Sequence, residues 1–121
     1  MTFVMQRVII LKRCSDKAKK GDHIMNLNEN EGYQLLIKAI LSLKTEEECE
    51  NFLDDLLTRK EILDAAQRLI VARLLSEQVV YSKIAEETGA STATISRVNR
   101  AYLYGSGGYR EMLKRIKDES I

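Results

Sequence analysis

The sequence predicts an all-α fold from three observations. Proline is absent from all 121 residues and most of the six glycines fall late in the chain, so helices can run with few breaks. Apolar residues recur at three- and four-residue spacing in segment after segment, the period of a helix face. Two Thr-x-x-Glu signatures, Thr45 with Glu48 and Thr58 with Glu61, have the form of capping boxes that open helices.

Taken in order, EGYQLLIKAILSL (Glu31–Leu43) places Leu35, Leu36, Ala39, Ile40 and Leu43 on one stripe. Thr45 then opens a helix expected to bury Cys49, Phe52, Leu53 and Leu56. Thr58 opens a long helix through Leu75, with Ile62, Leu63, Ala65, Ala66, Leu69, Ile70, Ala72 and Leu74 making a wide apolar face, which predicts a central position. Tyr81–Arg100 reads as two short helices around Gly89. Tyr102, Tyr104 and the GSGG run (Gly105–Gly108) end the second of these and lead to a last helix with Tyr109, Met112, Leu113 and Ile116 on its apolar side. These faces exceed what a monomer of this size needs to cover itself, and dimerisation through the helices at Glu31–Leu43 and Cys49–Leu57 would bury the excess; a compact monomer whose helices satisfy one another is the alternative.

Composition bounds the function. With 45% hydrophobic and 31% charged residues, the chain has the make-up of one soluble domain. No apolar run approaches the ~18 residues that span a bilayer. The opening MTFVMQRVIILKRC lacks a basic lead and a small-residue cleavage site, so a cytoplasmic protein is expected. Cys14 and Cys49 have no CxxC partner and His23 stands in a polar stretch. Neither a metal site, a cofactor nor an enzyme's catalytic constellation is expected. Residues 1–25 carry six bases against two acids, net +4, while residues 26–121 carry 13 bases and 16 acids, net −3. The first 25 residues read as a basic, disordered extension and residues 26–121 as the folded helical domain. Any nucleic acid must therefore meet a local patch of that domain rather than its bulk charge.

That patch is predicted in GASTATISR (Gly89–Arg97). A helix selected for stability alone would carry Leu, Glu, Lys and Ala there, because Ser and Thr compete for backbone hydrogen bonds. Two helices crossing steeply need a small contact residue, a turn residue tolerant of positive φ and apolar anchors on the second helix. Ala85, Gly89, Ile95 and Val98 supply these parts, with Ile84 preceding the turn, so residues of about 81–100 form a helix-turn-helix. Ser91 is the expected N-cap, with Thr92, Ala93 and Thr94 in the first exposed turn and Ser96, Arg97 and Arg100 beyond it. A helix start offers N–H groups and positive dipole to phosphate. Threonine methyls and Ala93 can meet thymine methyls, and arginine can donate to guanine. Double-stranded DNA is the expected partner. An interaction module that keeps this fold without binding DNA is the alternative. Val80, where a polar cap is expected before Tyr81, has no functional account.

With LLTRKEILDAAQRLIVARLL (Leu56–Leu75) followed by TGASTATISR, the chain resembles the Trp repressor superfamily, which has an LTPxE start, an arginine on the long helix and GAxxATITR at the recognition helix. Within that superfamily it is more similar to the TrpR-related YerC/YecD type, where the segment reads much like IAxETGASTATISRVNR. The resemblance spans about Leu27–Ile116. It implies a Trp-repressor-like intertwined homodimer, a repressor placing two recognition helices in successive major grooves of a palindromic operator ~34 Å apart.

The resemblance also implies an effector pocket, and here the chain departs from the pattern. Of the two arginines that sandwich the ligand's indole ring, Arg97 matches one. The other falls on Arg68 if one residue is deleted before Leu74, and on Gln67 without a gap. Thr58 matches a pocket threonine. Val98 stands where the pattern has glycine and Ala101 where it has serine, which argues against conventional tryptophan binding and leaves the effector unidentified. Arg68 can equally pair with an acid on a neighbouring helix, and Arg97 can contact phosphate.

Overall fold

The computed structural model describes residues 26–119, and the basic extension at 1–25 lies outside the described residues. Among the described residues every regular element is helical: a 3₁₀ turn at Leu27–Glu29, then α1 (Glu31–Ser42), α2 (Glu46–Leu56), α3 (Arg59–Ser76), α4 (Tyr81–Thr88), α5 (Thr92–Tyr104) and α6 (Gly108–Glu119). The all-α prediction is met, with each expected helix present and its ends within a few residues of the expected ones. The chain divides into two compact units between Phe52 and Leu53, inside α2.

In the first unit, side-chain caps set the helix starts. Asn30 accepts a hydrogen bond from the Tyr33 N–H at 2.8 Å and so begins α1. Thr45 accepts from the Glu48 N–H at 3.1 Å, as its signature predicts. The Glu48 carboxylate, however, reaches past the cap to the Lys44 N–H at 3.0 Å, one residue earlier than in a standard capping box. Glu46, Glu47 and Glu48 in the first turn of α2 complement the positive end of the helix dipole. No residue of α1 or α2 is fully buried. Leu35 is 68% and Leu41 79% exposed, while Leu36, Ala39 and Leu43 are half-buried. The expected burial of the α2 face is only partial: Cys49, Phe52 and Leu53 are half-buried and Leu56 is exposed.

In the second unit, the Thr58 hydroxyl accepts from the Glu61 N–H at 3.2 Å and the Glu61 carboxylate accepts from the Thr58 N–H at 2.8 Å, completing the predicted capping box of α3. The paired donors hold the Glu61 carboxyl below its ordinary value of 4.5, the Thr58 backbone N–H contributing most and its hydroxyl next. At its far end α3 closes through Gln78, a non-glycine at φ +62°, with the Val79 N–H donating to the Leu74 carbonyl at 3.0 Å.

Helix α3 packs against α4, α5 and α6, the central position its breadth predicts, using only part of the expected face, at Ala72 and Leu74. The core consists of Val71 and Ala72 of α3, Ile84 of α4, Ala90 in the turn, and Ile95 and Val98 of α5, flanked by Leu74, Leu75, Val79 and Ala85 and by Tyr109 and Leu113 of α6. Val71 falls outside the sequence-derived stripe yet is fully buried, whereas Leu63, Leu69 and Ile70 are exposed. The helix-turn-helix meets the rows through Gln67, Val71 and Leu74. The rows through Leu63, Ala66 and Ile70 therefore stay open within this unit. A helix that is apolar most of the way round does not reveal from its own sequence which arc a partner takes.

Candidate nucleic-acid interface

The predicted helix-turn-helix forms around three local devices. Gly89 ends α4 at φ +72°, a left-handed conformation that glycine adopts without a Cβ penalty, and donates its N–H to the Ala85 carbonyl at 2.9 Å. The Thr88 hydroxyl donates to the Ile84 carbonyl at 2.7 Å and accepts from the Ala90 N–H at 3.1 Å, bridging the turn. Ser91, in extended conformation, accepts from the Thr94 N–H at 3.1 Å and so starts α5. Helix α4 begins at Val80 without any side-chain cap, so the expected polar residue is replaced by nothing equivalent.

Burial then orients α5. Ile95 and Val98 face the core, and at roughly 100° per residue Ala93, Ser96, Arg97 and Arg100 fall on the opposite side with Thr92 at its flank, all exposed. Thr94 lies toward the inner edge, half-buried, with its hydroxyl 3.0 Å from that of Ser91. Ser91 is exposed at the tip and its oxygen is engaged as the cap. Five of the seven predicted residues thus share one solvent face, with Ser91 and Thr94 shaping its start. Leu103 and Tyr104 extend the same face, Tyr104 being 82% exposed. Sequence reasoning left them out, although the spacing Arg97–Arg100–Leu103–Tyr104 could have included them.

The residues of the predicted effector pocket are dispersed in role. Thr58 caps α3. The Gln67 amide donates to the Thr88 carbonyl at 3.1 Å, tying α3 to the turn, a contact across 21 residues that no local signal announces. Arg68 and Arg97 are exposed, and Val98 is 3% exposed inside the core. Ala101 lines an open depression of about 530 Å³ with Leu69, Gly105, Ser106, Tyr109 and Met112 among its walls. None of Thr58, Gln67, Arg68, Arg97 and Val98 lines that depression. Among the described residues no cluster of His, Cys, Asp or Glu is placed to hold a metal ion, and no helix is long and apolar enough to cross a membrane.

An apolar three-helix core presenting a capped, Ser/Thr- and Arg-bearing helix beyond a left-handed glycine turn defines a helix-turn-helix protein. The family model described as Trp repressor protein matches residues 31–117. YerC of Bacillus subtilis, described as uncharacterized, is 52% identical over 96 residues, covering 78% of this chain and 92% of that protein. Two solved structures are similar: a TrpR-like protein from Eubacterium eligens (TM-score 0.73, 46% identity, 77% of this chain and 96% of that one) and a candidate Trp repressor from Staphylococcus aureus (TM-score 0.69, 43% identity, 77% and 95%). The chain belongs to the Trp repressor family, a family of DNA-binding regulators, and within it is of the YerC type.

Proposed function

We propose that the protein is a sequence-specific DNA-binding transcriptional regulator of the repressor kind, not an enzyme, acting in the cytoplasm as a homodimer on a palindromic operator. The observation that carries this is the outward face of α5: Thr92, Ala93, Ser96, Arg97 and Arg100 stand together and exposed on a helix whose opposite side is anchored by Ile95 and Val98. Small side chains at the helix start let it approach base edges, and the arginines reach phosphate or guanine. The homodimer is supported by the large apolar side chains left open on α1 and α3. DNA binding without tryptophan is supported by Val98, a side chain packed into the core where the resemblance implies a pocket glycine. The basic residues at 1–25 would add phosphate contacts without specificity.

Selection of bound genomic fragments by the purified full chain, with and without amino acids, identifies the operator and any effector. Arg100→Ala should then cost ~1–3 kcal/mol at one base position if it reads a base, or weaken all sequences alike and lower the salt slope by about 1 if it holds phosphate. Unchanged affinity after replacing both Thr92 and Arg100 would refute the assignment and favour the interaction module.

A further inference from the structure

We propose that Arg110 of α6 is a positioning residue for the recognition surface: it latches the last turn of α5 and fixes the angle at which Thr92–Arg100 is presented. This rests on the DNA-binding reading above. The last turn of a helix leaves its carbonyls without intrahelical donors. Here the Gly105 N–H returns to the Ala101 carbonyl at 2.8 Å, and the Arg110 Nε–H donates to the Tyr102 carbonyl at 3.1 Å. The same guanidinium lies over the Tyr102 ring, 5.0 Å from its centroid, where the π face attracts a cation. One side chain thus grips both the backbone and the ring of a residue of α5.

Tyr102 follows Arg100 by two positions, about 200° round the helix, so the grip is on the back of α5 and leaves the DNA-facing side open. The connection to α6 is little constraint by itself, since Gly105, Ser106 and Gly107 form it and Gly107 sits at φ +86°. Helix α6 is held to the core separately, by Tyr109 and Leu113. Removing Arg110 therefore frees the distal end of α5 while α6 remains docked. Base readout depends on side-chain placement to a fraction of an ångström, whereas phosphate attraction does not, so the loss should fall on specificity.

The test compares Arg110→Ala with the unsubstituted chain for operator and for non-specific DNA of equal length, across a salt series, with the melting temperature of each. The expected result is about a tenfold loss of operator affinity, equivalent to ~1.4 kcal/mol, with non-specific affinity and salt slope unchanged and melting little altered. Tyr102→Phe should retain operator affinity because it keeps ring and carbonyl. Tyr102→Ala loses the ring but keeps the carbonyl, so it should cost less than Arg110→Ala, and the double variant should be no worse than Arg110→Ala alone. Equal weakening on both DNAs with a lower melting temperature would mean that Arg110 only supports the fold. Equal weakening with a smaller salt slope would mean that it binds phosphate. Either result, or no change at all, overturns the latch. Should the unsubstituted chain bind no DNA, the proposed function fails, and amide exchange decides the latch alone: Arg110→Ala must speed exchange in the last turn of α5 and not in α4.

Discussion

Val98 packs in the core at a position where the resemblance implies a pocket glycine, and Val98→Gly tests both roles. The side chain is buried among Ile95, Ile84 and Val71. Its removal forfeits ~1.5–3 kcal/mol of burial, and glycine inside a helix adds about 1 kcal/mol. The expected loss is about 2.5–4 kcal/mol, substantial against the ~5–15 kcal/mol that holds a domain of this kind together, yet compatible with folding. Val98→Ala removes two methyl groups without the glycine penalty and should cost about 1.5–2.5 kcal/mol. Urea unfolding of both variants measures these losses, and operator affinity with and without tryptophan reads the consequence. The unsubstituted chain should show no tryptophan response, because a valine packed into the core stands where the resemblance implies a pocket glycine. A cost below about 0.5 kcal/mol for Val98→Ala would place the side chain outside the core. A tenfold gain in operator affinity on adding tryptophan to the unsubstituted chain, worth ~1.4 kcal/mol of coupling, would falsify the argument outright.

Three further outcomes are expected. At two of the three left-handed positions among the described residues, Gly89→Ala should lose about 1–2 kcal/mol from backbone strain alone, since its Cβ would meet nothing within 4 Å, and Gln78→Gly, at φ +62°, should gain up to about 1 kcal/mol in thermal or urea unfolding. The Glu61 carboxyl is held low by the Thr58 backbone and hydroxyl, so its contribution to stability is present above pH 4.5 and fades as pH falls through its lowered folded value. The stability gap between the native chain and Glu61→Ala, measured by urea unfolding from pH 7 to pH 3, should therefore be constant at the top of that range and close toward the bottom; a gap that widens in acid reverses the sign. Leu35→Asp and Leu41→Asp, at side chains 68% and 79% exposed, should dissociate the proposed dimer in sedimentation equilibrium, and native protein that sediments as a monomer at micromolar concentration refutes that proposal.

The helix order, both threonine-initiated starts and the glycine turn follow from the sequence by itself, because each is governed by groups within four residues of one another: a hydroxyl and the N–H three positions on, or a glycine free to take positive φ. Likewise Ser91 as cap and Ile95 and Val98 as anchors are local matters of spacing on one helix. Even so, that spacing did not separate Thr94, drawn inward with its hydroxyl beside Ser91, from its exposed neighbours, nor did it include Leu103 and Tyr104. Tertiary structure alone decided which arc of α3 is core, since a helix apolar over most of its circumference is buried wherever α4 and α5 press on it, here at Val71 rather than at Leu63 or Ile70. It also decided that Gln67 serves the turn through Thr88 and that Arg110 reaches back to Tyr102. Both are long polar side chains whose partners are chosen by the packing of helices, and nothing in their immediate sequence distinguishes them from solvated ones.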